Sequence, residues 1–178
     1  MNKRLMRTNL LVLVFLMLVT AGSAFSLPLE SGAVYQISAR HSGKCLDVGG
    51  WSAANGALII QWDCHGGENQ QWTLFDVDGA GTYKIMAKHS DKALDVFGGI
   101  FSGANGVIVE QWDYNGSTNQ MWKINDLGNG FYSVIAKHSG KGLDVRGAST
   151  GNGAQVQQYD FRWGQNQQFK FTRLVPCR

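Results

Sequence analysis

Three times along this 178-residue chain an aspartate follows a leucine, at Asp47, Asp95 and Asp144. An aromatic residue stands 15, 17 and 15 positions further on, at Trp62, Trp112 and Tyr159, and seven residues beyond each comes an Asn-Gln pair opening at Asn69, Asn119 and Asn166. A carboxylate, a flat aromatic face and an amide are the groups with which a protein holds a sugar. The apolar C–H face of the ring stacks on the aromatic, carboxylate and amide oxygens accept hydroxyl protons, and amide N–H groups serve the ring's oxygens. The residue two before each aromatic shares its strand face, and it is Ile60, Glu110 or Gln157. Two of those three are polar, as the lining of a site would be.

What positions these residues is a threefold repeat. The segments ISARHSGKCLDV, IMAKHSDKALDV and VIAKHSGKGLDV begin just after Tyr35, Tyr83 and Tyr132, and each leads to a second shared block, NQQW, NQMW or NQQF. His41, His89 and His138 are 48 and 49 residues apart, and the three asparagines 50 and 47. Repeats at such a period each form one supersecondary unit and must bury a common core together. The repeats run over about 33–80, 81–129 and 130–173.

Within each repeat, short apolar runs such as AVYQISA, KCLDV, ALIIQW and QWTLFDV alternate with Gly, Asn and Ser. That rhythm predicts four strands per repeat, with tight turns such as HSGK between the first two. No amphipathic helical stretch of useful length interrupts it, and the two prolines, Pro28 and Pro176, lie outside the repeats. The class is all-β. Strands of four to six residues are not stable as isolated pairs and must close on one another. Twelve strands in three equivalent sets fit a β-trefoil, a pseudo-threefold barrel with a hairpin cap.

The beginning of the chain reads differently. Lys3, Arg4 and Arg7 precede ten unbroken apolar residues from Leu10 to Val19, and AGSAFS supplies small residues for cleavage. Residues 1–24 are expected to be a secretory signal peptide, cut after Ala24 or Ser26. Its apolar run is short of the roughly 20 residues a membrane span needs, and no second run follows, so no membrane insertion is expected. The leader holds three of the sixteen Lys and Arg residues and none of the thirteen acids, which leaves thirteen of each sign and a mature net charge of zero. The basic balance of the whole chain therefore gives no argument for a nucleic-acid partner.

Cysteine placement can be compared between repeats. Cys45 and Cys64 align with Ala93 and Tyr114 in the second copy and with Gly142 and Phe161 in the third. A disulfide in one copy and a small residue beside a large aromatic in the others would fill the same space. The comparison predicts a Cys45–Cys64 bridge in preference to two buried free thiols, as suits an oxidising compartment. Cys177 is left over, as an exposed thiol or an intermolecular link.

Taken together, LDV, the IQWD, EQWD and QQYD runs, and NQQW, NQMW and NQQF in three copies resemble the ricin B-type lectins, also classed as carbohydrate-binding module family 13. The resemblance covers 33–173. It implies a β-trefoil that binds galactose-type or related glycans without a metal; no catalytic constellation is found in the sequence, so neither enzyme activity nor a cofactor is expected. It further implies that the Asp, the strand Gln, the aromatic and the Asn are the ligands, with Glu110 standing in place of that Gln in the second repeat. The third repeat matches best, with Asp144, Gln157, Tyr159, Asn166 and Gln167. The second supplies Asp95, Glu110, Trp112 and Asn119, and the first Asp47, Trp62 and Asn69, with Ile60 where a polar side chain is expected. Trp72, Trp122 and Phe169 are expected to be core, and His65, Asn115 and Arg162 to flank the sites and tune them.

Other readings are weaker. Three histidines suit zinc, but the repeat explains their recurrence and no further ligand follows at metal spacing. Asp76-Val-Asp78-Gly79 opens like a calcium loop yet lacks the distal glutamate, so it reads as a turn between repeats. Asn115-Gly116-Ser117 is a glycosylation sequon, relevant only in a eukaryotic secretory pathway. Glu110 and Asp113 could suggest a glycosidase acid pair, but the pair does not recur. A β-trefoil protease inhibitor would use one distinctive loop, and none stands out. A sugar-binding accessory to a separate glycosidase is the other alternative.

Overall fold

The computed structural model describes residues 29–175. The expected signal peptide and Cys177 lie outside the described residues. The first repeat supplies β1 (Val34–Ala39), β2 (Cys45–Val48), β3 (Ala57–Trp62) and β4 (Gln71–Asp76). The second supplies β5 (Thr82–Ala87), β6 (Lys92–Val96), β7 (Val109–Trp112) and β8 (Trp122–Asp126). The third supplies β9 (Tyr132–Ala136), β10 (Gly142–Val145), β11 (Ala154–Tyr159) and β12 (Phe169–Leu174). Twelve strands, four per repeat, are what the spacing predicts.

Outer and inner strands do different work. The first and last strands of the repeats pair in the closed cycle β1–β4–β5–β8–β9–β12–β1, a six-stranded barrel with no free edge. The middle strands form the hairpins β2–β3, β6–β7 and β10–β11. These join through the pairings β11–β3 and β3–β7 and through a bridge between Ile108 and Gln157. A barrel capped by a triplet of hairpins is the β-trefoil.

The sequence pattern explains each strand type. In β1, Tyr35, Ile37 and Ala39 face inward and alternate with half-exposed residues, as a strand with one wet face requires. In β2 every residue is buried. Leu46 and Val48 enter the core, while Cys45 and Asp47 lie on the other face under the loops that form the site. The core is threefold in composition: Leu46, Leu94 and Leu143, then Trp72, Trp122 and Phe169, have no exposed surface. Trp72 and Trp122 donate their indole N–H to the carbonyls of Leu46 and Leu94, at 3.2 and 2.9 Å, so they are scaffold as expected. The turn before the inner strand needs a left-handed residue, and Gly43, Asp91 and Gly140 fill it with φ of 69°, 55° and 69°. Glycine carries no penalty there, and aspartate is among the few side chains that tolerate it.

The repeats are tied to one another by polar bonds. The Gln61 amide donates to the carbonyls of Ser149 and Gly151, Gln111 to those of Ser52 and Ala54, and Gln158 to those of Ser102 and Ala104. Each glutamine oxygen accepts from Ser42, Ser90 or Ser139. The three histidines belong to these ties: the Nε2 atoms of His41, His89 and His138 lie 2.8, 3.0 and 3.1 Å from the carbonyls of Ser149, Ser52 and Ser102. They sit at three separate joints between repeats, not around a common centre. The Asp76–Gly79 segment is a turn: Asp76 Oδ1 accepts from the N–H groups of Asp78 and Gly79, at 3.0 and 2.7 Å.

Cys45 and Cys64 are joined, with Cα atoms 5.2 Å apart. In the third repeat a Cβ added to Gly142 would meet Phe161 Cδ2 at 3.1 Å, so the aromatic ring occupies the space that the bridge fills in the first. The bridge closes a loop between residues 19 apart. On the chain-entropy model its loss should cost about 3 kcal/mol. Urea unfolding of a Cys45→Ala, Cys64→Ser variant should show that loss, and Cys45→Ala with Cys64→Tyr, the pair found in the second repeat, should recover part of it. Equal stability of the two variants would refute the packing equivalence.

Candidate functional site

Each inner strand carries its aspartate on the face opposite the core, and the turn after the hairpin brings the asparagine over it. Asn69 Nδ2 donates to Asp47 Oδ2 at 3.0 Å, Asn119 Nδ2 to Asp95 Oδ2 at 2.9 Å, and Asn166 Nδ2 to Asp144 Oδ2 at 2.8 Å. The same Nδ2 atoms lie within 3.1–3.4 Å of the carbonyls of Val48, Val96 and Val145, which fixes each amide in orientation. The aromatic residue ends the partner strand of the hairpin. Trp62 and Trp112 are about two-fifths exposed, at 42% and 41%, so their faces are available for stacking. The result is three separate cavities, one per repeat, of about 290, 320 and 360 Å³ in chain order.

The predicted residues assemble within these cavities. Asp47, Ile60, Trp62, Asn69 and His65 line the first. Asp95, Glu110, Trp112, Asn119 and Asn115 line the second, and Asp144, Gln157, Tyr159 and Asn166 the third. Gln167 differs from expectation. Its Nε2 donates to the carbonyl of Asp160 at 2.8 Å and its Oε1 accepts from the N–H of Arg162 at 2.7 Å. Gln70 and Gln120 brace their loops in the same way, so the glutamine of the pair supports the cavity from behind and does not line it. Glu110 also has a different neighbour from the one its sequence position suggested. It lies directly across from Asp95 in the β6–β7 ladder, while Asp113 is exposed and pairs with Lys92.

The sequence comparison missed one wall. Trp51 and Phe97, both 53% exposed, also line the first and second cavities, whereas the third has Gly147 and Ala148 in its lining and no second aromatic. The first and third residues after LDV differ in every copy, Gly49, Phe97 and Arg146, then Trp51, Gly99 and Ala148, so repetition does not mark them; an aromatic beside glycines was the available signal. Gly67 allows the first cavity to form, since a Cβ there would come within 2.4 Å of Trp51 and 2.8 Å of Asn69 Oδ1. In the third repeat the Arg162 guanidinium sits 5.3 Å from the centre of the Tyr159 ring.

Electrostatics separate the three sites. Burial pushes all three aspartates above the usual carboxylate range, against the amide hydrogen bonds that favour their charged forms. In the first site His65 Nε2 stands 3.4 Å from Asp47 and opposes the shift. In the third, Gln157 Nε2 donates to Asp144 Oδ1 at 2.9 Å and does the same. In the second, burial and then the Glu110 charge carry Asp95 up to about 7. Among the described residues no group of three or more His, Cys, Asp and Glu is arranged to hold a metal ion.

A family model described as ricin-type β-trefoil lectin domain-like matches the chain over residues 22–112, 101–159 and 118–175. The chain belongs to this family. Among solved structures, this lectin-family chain is similar to a designed threefold symmetric protein, ThreeFoil, with 49% identity and a TM-score of 0.77 over 79% of this chain and 99% of that one. It is also similar to an exo-β-1,3-galactanase from Clostridium thermocellum, with 39% identity and a TM-score of 0.77 over 82% of this chain but only 31% of the enzyme. A Macrolepiota procera ricin B-like lectin, solved in complex with lactose, has the same fold: 23% identity and a TM-score of 0.69 over 82% of this chain and 99% of that one.

Proposed function

We propose that this protein is a secreted lectin that binds galactose-type or related glycans at up to three sites, without a metal and without a catalytic step. One observation carries the reading: in every repeat a buried, amide-held aspartate lies at the base of a cavity walled by an aromatic side chain. Carboxylate below and ring beside is the arrangement that takes a hydroxyl pair on one edge of a sugar and its C–H face on the other. The family supports the sugar class, and the lactose bound by the M. procera lectin and the galactan-directed activity of the C. thermocellum enzyme support the galactose preference. Secretion rests on the leader.

The 39% identity to part of a galactanase favours a second reading, in which the domain serves as a sugar-binding accessory to a separate glycosidase. Both readings predict binding without hydrolysis by this chain. On a glycan array, the mature protein should retain galactoside-terminated glycans in the presence of chelator and leave them intact. Binding lost in chelator and restored by calcium or zinc, or release of free sugar, would overturn the proposal.

A further inference from the structure

At the strand position directly opposite the aspartate, the second cavity has an acceptor where the third has a donor. In the third, Gln157 Nε2 satisfies Asp144 Oδ1. In the second, Glu110 occupies that strand position directly opposite Asp95, and both side chains are 5% exposed. Among the described residues neither carboxylate is paired with a cation, and the Glu110 side chain makes no hydrogen bond, although it lines the cavity. Asn119, in the same lining, also has a buried side-chain oxygen with no partner among the described residues, as Asn69 has in the first cavity. Removing a donor from a buried site leaves its acceptors short of protons, which is costly unless something else supplies them.

Resting on the lectin reading above, we propose that the second site is specific for a sugar carrying a free, protonated amino group. An ammonium group has three N–H donors and a positive charge, and it can bond Asp95 and Glu110 at once. The walls suit the rest of such a ligand. Trp112 offers a face to the sugar ring, and Phe97, in the lining of the same cavity, can take part of the cation's field. A neutral hexose would bring hydroxyls, each able to donate one proton, but no charge to offset the negative charge of the buried carboxyl pair. An N-acetylated amine would have lost both the charge and two of the donors. The other two cavities lack the feature, with Ile60 and Gln157 at the position of Glu110. One trefoil would thus present sites of two preferences to a mixed polysaccharide.

The test uses the full mature chain with the first and third sites silenced by Asp47→Ala and Asp144→Ala, titrated at pH 7 with galactosamine, N-acetylgalactosamine and galactose while tryptophan fluorescence or NMR shifts are followed. Galactosamine should bind at least tenfold more tightly than the other two. Adding Glu110→Gln should remove that preference, and Glu110→Ile should do so as well; circular dichroism confirms that each variant is folded. Equal or tighter binding of galactose, no sugar binding at this site, or a calcium titration that saturates it where galactosamine does not would each overturn the proposal. If the unsilenced protein also fails to bind any sugar, the lectin reading fails with it; if it binds galactose at the other sites, that reading stands and only this inference falls.

Discussion

Replacing Asp144 by alanine is expected to weaken sugar binding at the third site by roughly tenfold to a hundredfold, the equivalent of the 1.5–3 kcal/mol carried by hydrogen bonds to a charged acceptor. Asp144 is the charged acceptor at the base of that cavity, and the third repeat alone combines it with a strand glutamine, an aromatic and an asparagine. The fold should survive the change, because Asn166 keeps its bond to the Val145 carbonyl and Gln167 keeps both of its backbone bonds. Asp47→Ala should cost less. Its site already lacks a polar group at Ile60, and Trp51 and Trp62 supply more of the contact. Sugar titrations of the two single variants decide the ranking. A wild-type affinity in Asp144→Ala beside abolished binding in Asp47→Ala would reverse it.

The second large effect is on stability as a function of pH. Asp95 is raised from 3.8 in its ordinary state to about 7, first by burial and further by Glu110. The folded protein therefore holds a proton that the unfolded chain has released, so this group's contribution to stability falls as pH rises from about 4 to about 7 and stays low above that. Asp95→Asn removes the titration while keeping the shape. Relative to wild type, the variant should gain on the order of 2 kcal/mol between pH 4 and pH 8. This is about half of what a shift of that size carries at 1.36 kcal/mol per pKa unit, because the open cavity admits water that screens the charge. The difference between the urea midpoints of the two proteins across that range measures it. Parallel pH profiles would mean that Asp95 titrates like an ordinary surface aspartate.

Much of this molecule was legible before folding because the repeats act as internal controls. Cys45, Ala93 and Gly142 differ in chemistry but align in register, and so revealed a shared volume that a single copy would have hidden. The Asp, aromatic and Asn of each site could be read for the same reason. Comparison of copies fails where copies differ or where recurrence has two causes. Trp51 and Phe97 went unseen because they stand at different distances after LDV and no aromatic occupies either position in the third repeat, which has Arg146 and Ala148 there. Gln167 looked like a ligand because it recurs beside Asn166, which lines the cavity, yet it recurs to brace a loop. Glu110 was legible as polar, but its true neighbour Asp95 is 15 residues away in sequence and meets it only through the β6–β7 register.

The central claim, that the three aspartate cavities are the sugar sites, is tested most directly by the triple variant Asp47→Ala, Asp95→Ala, Asp144→Ala. Monovalent sugar titration would be run beside agglutination of glycan-coated beads, with circular dichroism to confirm folding. Linked sites on one rigid body can raise avidity by ~10²–10⁴ over a single site, so agglutination should already fail when only one cavity is left intact. The account predicts that the folded triple variant neither binds sugar nor agglutinates beads. A folded triple variant that binds sugar with wild-type affinity would show that the sites lie elsewhere.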